Sequence, residues 1–365
     1  MKTYKFTLLA LVAMAASLTL RGNVTYACDA SIDLDGPSNL CATLNGTVGT
    51  TFAGGVAGIY NNTFTNANAS IYIQFVSNTG LGESSQFNNL VTYTAYQTAL
   101  QAESTDAAKS FVPGSEPGLY SNGDVSITSA LASALGITTV DGGDPVLGIE
   151  ADGATSCTTP GTGGCYNAVI TLNSPSGLNS AFSQGYYFRT GSQGADDYDF
   201  FSIVEHETDE VLGSASCIST TAPPSASITN GCGGSSPSAV DLFRYTAAAA
   251  RTLMTVNGPA QYFSPDGGVT DFDGNVYNNT ENGDDWADFS SGCTFIQDGT
   301  GCPGGGAGLD ITNDFGGGNG PEVAILNAVG FNLVTTQTTP EPATFAMFGV
   351  SLAMLAGFAR SRRKN

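Results

Sequence analysis

The chain has 365 residues, with 32 acidic side chains against 11 basic ones, a single histidine and a net charge of −21. That balance excludes nucleic acid as a partner, because no basic stripe is available to neutralise phosphates. It favours cation binding instead, and 47 glycines point to long loops on a β-containing scaffold.

Residues 1–27 read as an export signal. Lys2 and Lys5 precede an apolar run from Phe6 to Leu20, and the small residues near Tyr26-Ala27-Cys28 place cleavage after Ala27. Beyond it, residues 28–339 hold four basic side chains (Lys109, Arg189, Arg244, Arg251) against 31 acidic ones, a net charge of −27. All eight cysteines lie there as neighbouring pairs: Cys28 and Cys41, Cys157 and Cys165, Cys217 and Cys232, Cys293 and Cys302. Short loops close at lower entropic cost, so four local disulfides are expected, each stabilising its loop by about 2–3 kcal/mol in an oxidising compartment. The spacings do not repeat the CxxC of zinc clusters.

In chain order, residues 69–76 alternate apolar and polar and predict a strand, and residues 90–101 and 125–135 predict helices. Residues 145–151 and 166–172 predict strands, the second an edge strand that could pair with an extended peptide. Tyr198 to Gly213 then predicts an amphipathic helix ending at a glycine, and it carries His206-Glu-Thr-Asp-Glu210. Residues four apart share a helix face, so His206 and Glu210 can meet on one cation, with Glu207 beside them as a general base. The arrangement resembles a zincin helix with glutamate in place of its second histidine. Glu205 and Asp209 are expected to be solvated charges of the same helix.

Residues 214–238 form a Cys-bracketed polar loop. Asp266 to Asn275 offers alternating oxygen ligands but departs from the EF-hand spacing, so a turn-rich hairpin is expected, with calcium as the alternative. Trp286, flanked by Asp284, Asp285 and Asp288, is expected to anchor a core. Residues 335–342 form a linker ending in Pro340-Glu341-Pro342, residues 343–359 are uncharged and of minimal membrane-spanning length, and 360–365 form a basic tail expected in the cytoplasm.

The order Pro-Glu-Pro, short apolar span and arginine cluster resembles the PEP-CTERM sorting signal of Gram-negative bacteria. The resemblance implies export, tethering in the inner membrane and removal of the signal by an exosortase-type enzyme, with the cell surface or the extracellular space as destination. Further blocks, Ala239-Val-Asp-Leu-Phe-Arg-Tyr245, Tyr262 to Gly268, Gly283 to Trp286 and Glu322 to Phe331, resemble in this order those of a group of PEP-CTERM metalloproteases. Those proteins carry HEI-x-EVLG where this chain has His206 to Gly213. The resemblance covers roughly residues 65–333. It implies an α+β, metzincin-like fold: a twisted mixed sheet, an active-site helix and a loop-rich, disulfide-stapled C-terminal part, acting as a peptidase on peptide or protein substrates.

Two departures from the metzincin pattern stand out: Glu210 and Ser216 occupy the positions of the second and third zinc histidines, and Met254 is not in an evident Met-turn. Zinc accepts one imidazole and two carboxylates, and harder ligands shift preference toward manganese or calcium. Asp241, which follows the Cys217 to Cys232 loop, is the expected third ligand, and Tyr245 the expected donor to an oxyanion. The rival reading is a non-enzymatic surface or matrix protein on the same fold.

Overall fold

The computed structural model describes residues 21–47, 54–77, 80–103, 123–182, 184–218, 232, 236–253, 260–271, 277–278, 285–290, 292–305, 308–314 and 319–334. The chain divides into two units, Met1–Leu333 and Val334–Asn365, and all of the described structure except Val334 lies in the first. Strand β1 (Asn23–Cys28) leads into helices α1 (Ala30–Asp35), α2 (Leu40–Leu44) and α3 (Gly55–Thr63), followed by β2 (Asn68–Val76), β3 (Gly82–Gln86) and β4 (Asn88–Thr92). Next come α4 (Tyr93–Glu103), β5 (Asp124–Thr128), α5 (Ser129–Ala134), β6 (Gly148–Glu150), β7 (Ser156–Cys157), β8 (Cys165–Tyr166) and β9 (Ala168–Asn173). The order continues with α6 (Pro175–Phe182), β10 (Gly185–Tyr187), β11 (Asp197–Asp199), α7 (Phe200–Asp209), β12 (Arg244–Ala247), β13 (Ala250–Arg251), β14 (Tyr262–Phe263) and α8 (Pro321–Val329).

The fold is mixed α/β, with several small sheets around one four-stranded sheet of order β1-β2-β9-β3. In β2 the alternation expected from the sequence holds: Ala69, Ile71, Ile73 and Phe75 are buried and their neighbours are not. β1 and β9 run parallel to β2, and β3 closes the sheet antiparallel to β9. All six residues of β9 are buried, the pattern of an interior strand covered on both faces. The strand expected at the edge is therefore central, and β3 is the edge. Asn167 interrupts the expected 166–172 run, because its backbone and side chain both bond Ser70.

Both early helix expectations begin as strand. Residues 88–92 and 124–128 pair antiparallel before their helices begin, since Val125, Ile127 and Thr128 favour extended backbone. Thr128 then caps α5 by accepting the Leu131 N–H. The described structure begins before the expected signal boundary. A cut after Ala27 would fall inside β1, where Val24 and Tyr26 are buried and the Tyr26 hydroxyl lies 2.8 Å from Thr208 Oγ1 on α7.

Four disulfides join the expected partners, Cys28 to Cys41, Cys157 to Cys165, Cys217 to Cys232 and Cys293 to Cys302. One apolar cluster runs from Val24 to Phe331 and includes Phe200, Val204 and Val211 around α7 and Leu326 on α8. Among the described residues no helix is long and apolar enough to cross a membrane, and residues 343–359 lie outside them.

Candidate metal centre

Helix α7 starts where Asp199 accepts the N–H groups of Phe201 and Ser202, and it continues through a wider turn, Glu210–Ser214, that ends at Gly213 with φ 122°. Only glycine holds that backbone conformation without strain. The helical period then brings His206 Nε2 to 3.8 Å from Glu210 Oε1. A third group joins from the loop after Trp286: Asp288 Oδ1 lies 3.7 Å from the same nitrogen. One ligand atom from each of His206, Glu210 and Asp288 lies within 4.8 Å of the other two.

The imidazole is oriented from behind. His206 Nδ1 sits 2.9 Å from the Ile296 carbonyl oxygen, which can only accept. In the neutral ring the proton therefore belongs on Nδ1, which leaves Nε2 facing the two carboxylates. The Gln297 amide nitrogen donates to Asp288 Oδ1 at 3.0 Å and lies 3.4 Å from His206 Nε2. Ile296 and Gln297 belong to the segment bracketed by the Cys293 to Cys302 disulfide, so one of the expected loops carries part of the centre.

Glu207 follows His206 and is 5% exposed. Burial, then the charges of Glu210 and Asp288, push its carboxyl well above the usual range. The backbone of β3 passes directly over it. A Cβ at Gly82 would lie 2.6 Å from Glu207 Oε1, so that strand position is closed to a side chain. The next outward residue but one, Ser84, donates to Glu210 Oε2 at 2.6 Å. These groups line a cavity of about 570 Å³ between β3, α7 and the 293–302 loop.

Several expected site residues lie elsewhere. Asp241 is buried and accepts from Ser216 Oγ, Cys217 N and both the N–H and the hydroxyl of Ser238. Its oxygens are thereby occupied in stapling the Cys217 to Cys232 loop, away from His206. Ser216 is a donor in that staple. Tyr245 is buried in β12, opposite Arg251 and Tyr262, and does not line the cavity.

Glu205 and Asp209 are fully buried rather than solvated, because α7 is enclosed on almost every side. Asp209 accepts the Tyr60 hydroxyl, and Glu205 accepts the Ile311 N–H and faces Arg189. Asp266 organises a turn by accepting from Ser264 and Thr270, while Met254, Asp273 and Asn275 lie outside the described residues. Trp286 is 1% exposed, in the core role expected of it. In the sequence Asp288 stands out only as a flank of that tryptophan. Its position just beyond the Gly283 to Trp286 block was the available signal.

No curated protein and no solved structure matches the chain. Residues 338–364 match the family model of the PEP-CTERM protein-sorting motif. That motif implies export, anchoring by the C-terminus before sorting, and recognition by an exosortase-type enzyme.

Proposed function

We propose that the exported unit is a zincin-like metal-dependent peptidase whose cation is held by His206, Glu210 and Asp288. The observation that carries this reading is the convergence of one imidazole nitrogen and two carboxylates beneath a free antiparallel edge strand, with Glu207 beside them. One nitrogen and two carboxylate oxygens fit zinc, and the predominance of oxygen leaves room for manganese. Asp288 replaces Asp241 as the third ligand of the proposal. Calcium at Asp266 to Asn275 has no support beyond its sequence pattern.

The cation would supply Lewis acidity toward the scissile carbonyl and the attacking water. The chain supplies the rest. Strand β3, whose outer edge pairs with no other strand among the described residues, would hold an extended peptide and fix the substrate backbone along the cavity. Glu207 takes the proton from water as its oxygen bonds to the carbonyl carbon, then returns it to the departing amine as the C–N bond breaks. Burial of Glu207 keeps its conjugate acid stable enough for that return. The Ile296 carbonyl holds His206 in the tautomer a ligand needs.

Elemental analysis of the purified protein tests the centre. About one transition metal ion per chain is expected, lost in His206→Ala. Equal metal content in the two proteins would remove the centre, and a surface or matrix role would take its place.

A further inference from the structure

Two acids outside the cavity hold the segment that orients the histidine. Asp314 Oδ2 accepts the Ile296 N–H at 3.1 Å, and Glu322 Oε1 accepts the Gln297 N–H at 2.9 Å. The same two residues reach the centre on their other side, Ile296 through its carbonyl to His206 Nδ1 and Gln297 through its amide to Asp288. Two consecutive peptide units are therefore fixed from behind by carboxyl groups and touch two candidate ligands in front.

The remaining oxygens of the pair meet over Gly320. A Cβ there would lie 2.0 Å from Asp314 Oδ1 and 2.5 Å from Glu322 Oε2, so the glycine lets the two carboxyls close together. Both oxygens are buried, and among the described residues neither has another partner. As two carboxylates they would be acceptors lacking a donor, whereas one proton between them makes a hydrogen bond and holds the pair as a unit. Glu322 is anchored at the start of α8, behind the N-terminal Pro321, and is fully buried. An acid pair that served packing alone would have no need to spend an oxygen each on two adjacent N–H groups.

We propose that Asp314 and Glu322 are positioning residues that fix the Nδ1–H tautomer of His206 through the Ile296 carbonyl and so leave Nε2 free to bind a cation. The link to metal rests on the proposed centre. The tautomer itself does not, and it can be measured without any metal.

The chain has one histidine, so its imidazole signals need no assignment. Long-range proton–nitrogen correlation on the metal-free protein, labelled at histidine and held at a pH where the ring is neutral, reads the tautomer directly. The wild type is expected in the Nδ1–H form. Asp314→Ala and Glu322→Ala should lose that preference, and Glu322→Gln, which keeps an acceptor for Gln297, should restore it. Metal affinity should fall about 10- to 100-fold in the two alanine variants, the range found when groups that orient a ligand are removed. Asp241→Asn, equally buried but bonded elsewhere, should lower thermal stability and leave the tautomer unchanged.

Should the alanine variants not fold, Gly320→Ala disturbs the pair without deleting it and carries the same expectation. An Nε2–H wild type, or folded variants that keep the Nδ1–H form, would overturn the proposal. A tautomer shift in a protein that binds no metal would uphold the positioning role and remove the metal centre alone.

Discussion

Ser84 Oγ lies 2.6 Å from Glu210 Oε2, so the free edge of the main sheet is bonded directly to a candidate ligand on the turn that follows α7. Strand and helix are thus registered to each other at the point where a substrate backbone and a cation would meet. When Glu210 ligates a cation it does so as a carboxylate, a hydrogen bond to which is of the stronger class, and removing one partner then costs about 1.5–3 kcal/mol. Ser84→Ala should therefore weaken metal binding by about tenfold or more while leaving the metal-free fold intact. Isothermal titration with zinc checks it, and unchanged affinity would show that Glu210 is held by other means.

Asp288 and Asp241 are both buried acids, and only one faces the histidine. Asp288→Asn removes an anionic ligand, so metal should be lost with little change in the melting temperature of the metal-free protein. Asp241→Asn leaves an acceptor unsuited to the two N–H groups and two hydroxyls that converge on it, and should cost about 1–3 kcal/mol of stability with metal content unchanged. Thermal melts beside elemental analysis separate the two. Metal loss in Asp241→Asn with retention in Asp288→Asn would reverse the assignment.

Local periodicity and spacing made part of this legible. The helix carrying His206, the alternation in β2 and all four disulfides follow from patterns contained within a few residues of sequence. What escaped depends on contacts across long separations. Whether residues 168–173 lie inside or at the edge of the sheet is decided by Gly82 to Gln86, more than 80 residues earlier. Glu205 and Asp209 look solvated because one helix in isolation has an outer face, and here that face is covered by Tyr60 and the segment around Ile311. The choice of Asp288 over Asp241 likewise turns on which loop folds back over α7, which the neighbouring residues of two similar acids do not decide.

Buried acids set the pH dependence of the metal-free protein. Burial, followed by the charge of Glu210, pushes Asp285 from the ordinary value up to about 8, and burial pushes Asp314 up to about 6. Glu205, Asp209 and Glu322 are moved in the same direction. Each binds its proton more tightly folded than unfolded, so its stabilisation is complete below the unfolded value near 4 and is lost as pH rises through the folded one. The metal-free melting temperature should fall steadily from pH 5 to pH 8.5, less steeply in Asp285→Asn. A melting temperature that rises over that interval would contradict the burial of these acids as charged-form penalties.

The amino terminus of the exported protein should include β1. Val24 and Tyr26 are buried, Gly22 and Asn23 donate backbone hydrogen bonds to Phe64 and Ala67, and β1 pairs with β2 along its full length. Losing residues up to Ala27 would expose the flank of β2 and break the Tyr26 bond to α7. Mass spectrometry of the exported chain should find a first residue at or before Asn23. A mature chain beginning at Cys28 would sink this, and with it the place of β1 in the sheet.

Glu207 separates an enzyme from a scaffold that binds an ion. It is next to His206 in sequence, is not in the converging set of His206, Glu210 and Asp288, and sits under the backbone of Gly82 where a peptide would lie. Glutamine in its place keeps shape and hydrogen bonding but cannot take a proton, so metal content should stay and peptidase activity should fall by about two orders of magnitude or more. Glu210→Gln differs, because it removes a ligand: metal affinity should drop, and with it the extra thermal stability that bound metal confers. Cleavage of a broad peptide library by the wild type and both variants, alongside metal analysis, gives the comparison. A wild type that holds metal yet cleaves nothing, with Glu207→Gln indistinguishable from it, would leave an ion-binding surface protein and end the peptidase reading.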